Sequence, residues 1–178
     1  MSAETHLSAH PVRIIPSAAT AEPVAPLKTQ CSSCHLRDLC LPCGLTEDAM
    51  DHLDGMSINR RRVKTGQTLY RAGDRFQSIF AVRMGTFKSS LMLVDGREQV
   101  SGFHMAGELM GLDGVADGKH ASTAIALEDA EICAIPYANL NQLSSVVSDM
   151  QLTLTRLMSR EIVREHSLML LLGSMNAE

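Results

Sequence analysis

The sequence has no tryptophan, two tyrosines and four phenylalanines among its 178 residues. A core built from it has to be aliphatic, and eleven methionines provide flexible filling. There is no excess of positive charge either: 16 lysines and arginines stand against 20 aspartates and glutamates, a net charge of −4. Domains that grip nucleic-acid phosphates carry a basic patch, so these residues are not expected to bind DNA or RNA directly. No apolar run approaches the roughly 18 residues of a transmembrane helix. The first residues lack the basic-then-apolar order of a secretory signal. A cytoplasmic protein is the expectation, and disulfides rarely persist in that compartment. Five cysteines, four of them between Cys31 and Cys43, then point to metal or redox chemistry.

Residues 1–30 are rich in Ala, Pro, Ser and Thr, show no apolar period, and read as a flexible leader. The cysteine-rich segment covers residues 31–45. "TEDAMDHLDGM" predicts a short helix. Thr46 is its cap, Glu47 and Asp48 stand in the first turn where the helix dipole favours acids, Met50, Leu53 and Met56 form the buried side, and Gly55 ends it. From Asn59 to Pro136 the texture changes to short apolar segments separated by glycines. "QTLY", "SIFAVRMGTFKSSLMLV", "EQVSGFHM", "HASTAIALE" and "AEICAIP" read as strands, the pattern of an antiparallel roll. "VDGRE" predicts a hairpin with a type I′ turn at Asp95-Gly96. "YANLNQLSS" predicts a short helix, and a long helix follows from about Val146 to Leu172, with Gly173 as its C-cap. The expected class is α+β: a β-roll over residues 46–140, a long helix region over 141–173 and a short link over 174–178.

Met158, Ile162, Glu165, Met169 and Leu172 recur at heptad spacing, the mark of a two-helix seam, so a homodimer is expected. Leu154, Leu157, Leu168 and Leu171 form a second apolar set that can pack on the roll. In a symmetric parallel pair Glu165 meets its own copy, and two carboxylates there repel by about 1–4 kcal/mol depending on the local dielectric. Arg160 and Arg164 lie close enough on the helix to offset this.

The cysteines follow C-x2-C-x5-C-x2-C. Structural zinc sites usually place about 12–20 residues between such pairs, so five make a tight loop. An iron–sulfur cluster needs four thiolates. Cys31, Cys34 and Cys40 can supply three of them, and the residues by themselves leave the fourth open between Cys43 and Cys133. His35, inside the cysteine loop, reads as a solvated loop histidine with a zinc ligand as the rival role, and His104 and His120 show no partner pattern. No nucleophile–base set, phosphate-cradling loop or paired carboxylate motif is present, so no enzyme is expected.

"CSSCHLRDLC", "KTGQTLYRAGDRFQSIFAVRMGTFKSS", "GREQVSGFHMAGELMGLDGV", "ALEDAEICAIP" and "RLMSREIVREHSLMLLL" together resemble the FNR branch of the cAMP receptor protein superfamily, cytosolic bacterial regulators that sense oxygen with a 4Fe–4S cluster. The resemblance runs from about Cys31 to Glu178. It implies a cyclic-nucleotide-binding-like jelly roll followed by a dimerisation helix. It further implies Cys31, Cys34, Cys40 and Cys133 as cluster ligands, with Cys43 outside the set, and a cluster that passes to a 2Fe–2S form after oxygen exposure. It matches Ile162 and Glu165 to the isoleucine and acidic residue of the dimer helix. It implies contact with RNA polymerase through exposed turns such as Asp95, Gly96 and Arg97. The superfamily's nucleotide binders hold phosphate with Gly-Glu and Arg-Ser; here Gly107-Glu108 is present but His120-Ala121 replaces the second pair. The guanidinium contact is lost, and no cyclic nucleotide is expected. The family continues into a helix-turn-helix domain where this sequence stops, so DNA contact is expected only through a part not contained here.

Two rivals use the same residues differently. One is a zinc- or redox-structured interaction module on Cys31, Cys34, Cys40 and Cys43, with Cys133 as core. The other is a small-molecule-binding roll with incidental cysteines.

Overall fold

The computed structural model describes residues 27–175. The leader therefore lies outside the described residues up to position 26. Leu27–Lys28, which the sequence reading leaves in the leader, forms a two-residue strand, β1, paired with the next strand.

Among the described residues, nine strands build two antiparallel sheets. After β1 and helix α1 (Glu47–Gly55) come β2 (Asn59–Val63), β3 (Thr68–Tyr70), β4 (Ser78–Met84), β5 (Phe87–Met92), β6 (Glu98–His104), β7 (Leu109–Met110), β8 (Thr123–Ala126) and β9 (Ala130–Pro136). Helices α2 (Tyr137–Val146) and α3 (Ser148–Met175) close the chain. One sheet runs β1-β2-β9-β4-β7 and the other β3-β8-β5-β6. Together they form the expected jelly roll with flanking helices.

Strand alternation sorts the central strands into two cores. Phe80 and Val82 of β4 and Ile132 of β9 face into the roll, with Val63, Tyr70, Phe87 and Met110. Ile79 and Ala81 of β4 and Cys133 and Ile135 of β9 face the other way, against Leu41, Leu53, Ile58, Leu140 and Met150. On that second face Arg83 and Glu131 continue the same alternation, in adjacent strands, and pair at 3.0 Å. The period of two thus carries a cysteine, an arginine and a glutamate to one side of the sheet.

Three local expectations change. The hairpin at Asp95-Gly96 exists, but Asp95 keeps a negative φ and only Gly96 is left-handed, at φ 82°. Gly96 N–H donates to Leu93 O at 2.9 Å and Leu93 N–H to Arg97 O at 2.8 Å, a type I turn followed by a glycine bulge rather than type I′. Thr46 precedes α1 but makes no capping bond; its hydroxyl donates to Asp149 Oδ2 of α3 at 2.8 Å instead, tying the two helix starts together. Gly173 does not end the long helix, which continues to Met175. Met50, Leu53 and Met56 are buried as expected. Among the described residues no helix is long and apolar enough to cross a membrane.

On α3, Met150 and Thr153 are buried, and Leu154 and Leu157 pack on the second core. Met158 is half-buried, and Ile162 and Glu165 are exposed. The remaining seam residues, Met169 and Leu172, and the second-set residues Leu168 and Leu171 have side chains outside the described residues.

Candidate functional site

The cysteine segment is a run of tight turns. Cys34 N–H donates to Cys31 O at 3.1 Å and Cys43 N–H to Cys40 O at 3.0 Å, so each CxxC closes one turn. Leu36 O accepts Cys40 N–H at 2.9 Å between them. Two anchors hold the loop. Leu41, 1% exposed, enters the second core. At the loop's start the Asp54 carboxylate, from the end of α1, accepts the N–H groups of Cys31 and Ser32 and the Ser32 hydroxyl.

These anchors lay the loop over the sheet face that carries Cys133. Burial pushes the Cys31 thiol up to about 12, with Cys40, Asp54, Cys133 and Cys34 each adding to it. Burial likewise raises Cys40 to about 11; a hydrogen bond from the Leu41 backbone opposes this, while Cys133 and Cys34 reinforce it. Cys133 is raised by burial, against a hydrogen bond to Thr29 and the nearby Arg83 charge. Cys31, Cys34, Cys40 and Cys133 therefore lie within electrostatic reach of one another. Cys43, half-buried, is not among these neighbours.

Cations complete the surroundings. Arg83 NH1 donates to Cys34 Sγ at 3.2 Å. Arg60 Nε donates to Thr29 Oγ1 at 3.1 Å, and both arginines face Glu131. The donor set suits a multi-metal group. Thiols ligate as thiolates, and a bound metal deprotonates them against even a raised pKa. The guanidinium at Cys34 offsets the negative charge of such a set. Among the described residues no three His, Cys, Asp or Glu side chains converge closely enough to hold one metal ion.

The raised thiols carry a pH signature in the metal-free protein. Below pH 9, the ordinary thiol value, both folded and unfolded chains hold neutral Cys31 and Cys40, and stability is full. Above it the unfolded chain ionises first, so stability falls as pH rises toward about 11 and 12. The urea midpoint of metal-free protein is expected to drop between pH 8 and pH 10.5, and less so in Cys31→Ser.

The other sequence candidates are dispersed. Asp95, Gly96 and Arg97 sit on the exposed hairpin, where Arg97 Nε donates to Asp95 Oδ2 at 2.7 Å. His35 is exposed in the cysteine loop. The two histidines without a visible sequence pattern do have partners. His120 is buried, stacks on Tyr70 with ring centroids 3.9 Å apart, and meets Asp113 Oδ1 at 3.2 Å. His104 contacts Ser89 and Arg164. Gly107-Glu108 makes a turn, with Gly107 at φ 93°. Beside the His120-Ala121 position, the Asp113 carboxylate accepts Ala121 N–H at 3.0 Å, Ser122 N–H at 2.8 Å and the Ser122 hydroxyl at 2.7 Å.

Sequence reasoning missed Asp54, Arg83 and Leu41. Arg83 had a signal: it is the one charge in the apolar strand "SIFAVRM". Asp54 had none, because its role depends on where α1 ends relative to the loop. Arg164 was assigned to offset Glu165 on the seam; the structure turns it onto the roll, where Glu108 Oε2 accepts from it at 2.8 Å.

A family profile described as "Cyclic nucleotide-binding domain" matches residues 60–146. The transcriptional regulatory protein btr of Bordetella pertussis is 39% identical over 156 residues, 88% of this chain and 64% of that protein. The fumarate and nitrate reduction regulatory protein of Escherichia coli is 40% identical over 148 residues, 83% of this chain and 59% of that protein. The chain thus spans less than two thirds of the length of either relative. Among solved structures, the catabolite activator protein of Thermus thermophilus superposes with a TM-score of 0.61 at 26% identity, covering 75% of this chain and 62% of that one. The N-terminal domain of a transcriptional regulator from Streptomyces coelicolor shares the fold, with a TM-score of 0.57 at 24% identity, covering 72% and 91%. The roll, the long helix after it and these relatives agree: the chain carries a cyclic-nucleotide-binding-type domain and is homologous to regulators of the CRP/FNR family, the fumarate and nitrate reduction regulatory protein among them.

Proposed function

We propose that this chain is the oxygen-responsive sensor and dimerisation part of an FNR-type regulator, with Cys31, Cys34, Cys40 and Cys133 holding an oxygen-labile 4Fe–4S cluster. The observation that supports this reading is the thiol set: three loop cysteines and one strand cysteine lie within electrostatic reach of one another, and Cys43 does not contribute to their shifts. When bound, the cluster supplies a centre that oxygen can oxidise and dismantle. The chain's own residues do the rest. Asp54 and Leu41 anchor the loop, Cys133 ties it to the roll, and Arg83 donates to the Cys34 sulfur.

The tether holds the loop against the surface beside α3, and its loss loosens that surface. The exposed Ile162 and Glu165, with Met158, Met169 and Leu172, form the homodimer seam. In a full-length regulator the dimer sets the spacing of two DNA-recognition elements. The hairpin at Asp95, Gly96 and Arg97 is the RNA polymerase contact, and the protein works in the cytoplasm. Cyclic nucleotide plays no part in this reading, since Asp113 takes the donors at Ala121 and Ser122.

The test is purification without oxygen. A brown protein with about four irons per chain, which bleaches in air and then loses dimer, is the expected result. A colourless protein that contains zinc, or a brown one whose dimerisation ignores air, overturns the proposal.

A further inference from the structure

Beyond Leu157 the long helix leaves the second core, and Ile162 and Val163 are 54% and 61% exposed. Among the described residues of this stretch, Arg164 reaches back to the roll. Arg164 NH1 donates to Phe103 O at 3.0 Å and to Glu108 Oε2 at 2.8 Å. Its NH2 donates to His104 Nδ1 at 2.9 Å and to the Glu161 carboxylate. His104 accepts at Nδ1 only as a neutral ring, which leaves its proton on Nε2, donated to Ser89 Oγ at 3.1 Å. Burial first, and then the Arg164 charge, holds His104 down at about 4, against the opposing Glu108 and Asp113 carboxylates.

Glu108 belongs to a tight turn. The oxygen that receives Arg164 also accepts Met105 N–H at 2.8 Å, and Gly107 N–H donates to Val82 O at 2.9 Å. Leu39, from the loop between Cys34 and Cys40, sits directly on this turn. A Cβ on Gly107 would lie 3.0 Å from Leu39 Cβ. Leu39 is otherwise 64% exposed, so little besides the turn holds it. A cavity of about 150 Å³, lined by Leu39, Glu108, Leu157, Glu161 and Arg164 among others, separates the loop from the helix. The loop therefore reaches this part of α3 through the turn.

We infer that Arg164 is a positioning residue that couples the cysteine loop to the dimer helix: Leu39 seats the Gly107-Glu108 turn, and the Glu108–Arg164 pair carries that seating to the stretch of α3 bearing Ile162 and Glu165. The inference rests on the reading of the loop as the sensing segment, but the contacts it uses involve no cluster. Contiguity alone does not demonstrate coupling, and a double-mutant cycle does.

The experiment uses the full chain with Leu39→Ala, Arg164→Ala and the pair of substitutions, each prepared metal-free and iron-loaded without oxygen. Amide hydrogen exchange is read over residues 161–165, and the His104 ring is titrated by NMR. Leu39→Ala is expected to speed exchange there about fivefold or more in the parent chain, and to add nothing once Arg164 is alanine. Arg164→Ala should move the His104 titration upward by about one pH unit or more, because Glu108 and Asp113 then face the ring without the guanidinium. Arg164→Lys, which keeps the charge but not the fork, should leave the titration low and still uncouple exchange from Leu39. It also replaces Arg164→Ala in the cycle should that variant not fold. Exchange that ignores Leu39→Ala, or effects of the two substitutions that simply add, overturns the inference. Absence of iron in the parent chain overturns the sensor reading instead, and the cycle on metal-free protein still decides the coupling.

Discussion

Cys133→Ala is expected to take iron from about four per chain to nearly none in anaerobically prepared protein, while Cys43→Ala leaves it unchanged. The contrast is large because a cluster needs all four thiolates. In the proposed site Cys133 ties the loop to the roll; without it three sulfurs remain on a loop held by Leu41, Asp54 and lesser contacts. The loss would not come from unfolding. Cys133 is 9% exposed and packs in the second core, so a cysteine-to-alanine change there removes one buried sulfur and costs on the order of 1 kcal/mol. Circular dichroism and a urea midpoint near the parent's check this point. Iron retained in Cys133→Ala and lost in Cys43→Ala would return the site to the four crowded cysteines and favour the interaction-module reading.

Leu41→Ala should lower the stability of the metal-free protein by about 2–5 kcal/mol, the range for emptying a buried leucine site. Leu41 is 1% exposed and stands in one core with Leu53, Ile58, Ile79 and Leu140, yet it lies between Cys40 and Cys43. The substitution therefore acts on fold and loop together, and iron loading should fall along with the urea midpoint. Leu41→Met, which keeps the volume, should cost less than about 1.5 kcal/mol and retain the iron. A midpoint for Leu41→Ala within about 0.5 kcal/mol of the parent would mean that the loop is docked by other contacts.

Much of the roll was legible in the sequence. Alternation and glycine punctuation located β3 to β6, β8 and β9, because those signals are local. The two-residue strands β1 and β7 escaped, since so short an element carries no period, and β2 (Asn59–Val63) escaped because its three consecutive arginines show no apolar alternation. The Asp-Gly turn was placed correctly but given the wrong type: two-residue and bulged loops share that dipeptide, and the register of the flanking strands decides between them. Thr46 carried a local capping signal that lost to a tertiary partner, Asp149.

The sequence by itself determined the elements, the aliphatic composition of the cores and the crowding of cysteines ahead of the roll. It left the fourth cysteine open on spacing alone, and the family resemblance named Cys133. Only the tertiary structure decided which groups face one another. Strand alternation carries Cys133, Glu131 and Arg83 to one face, and the docking of Leu41 and Asp54 brings the loop onto it. On α3, heptad spacing put Arg164 beside the seam. The fold gives it Glu108, His104 and the Phe103 carbonyl instead. A half-buried guanidinium goes where several acceptors meet, and that meeting place lies on the roll, outside the helix's own sequence.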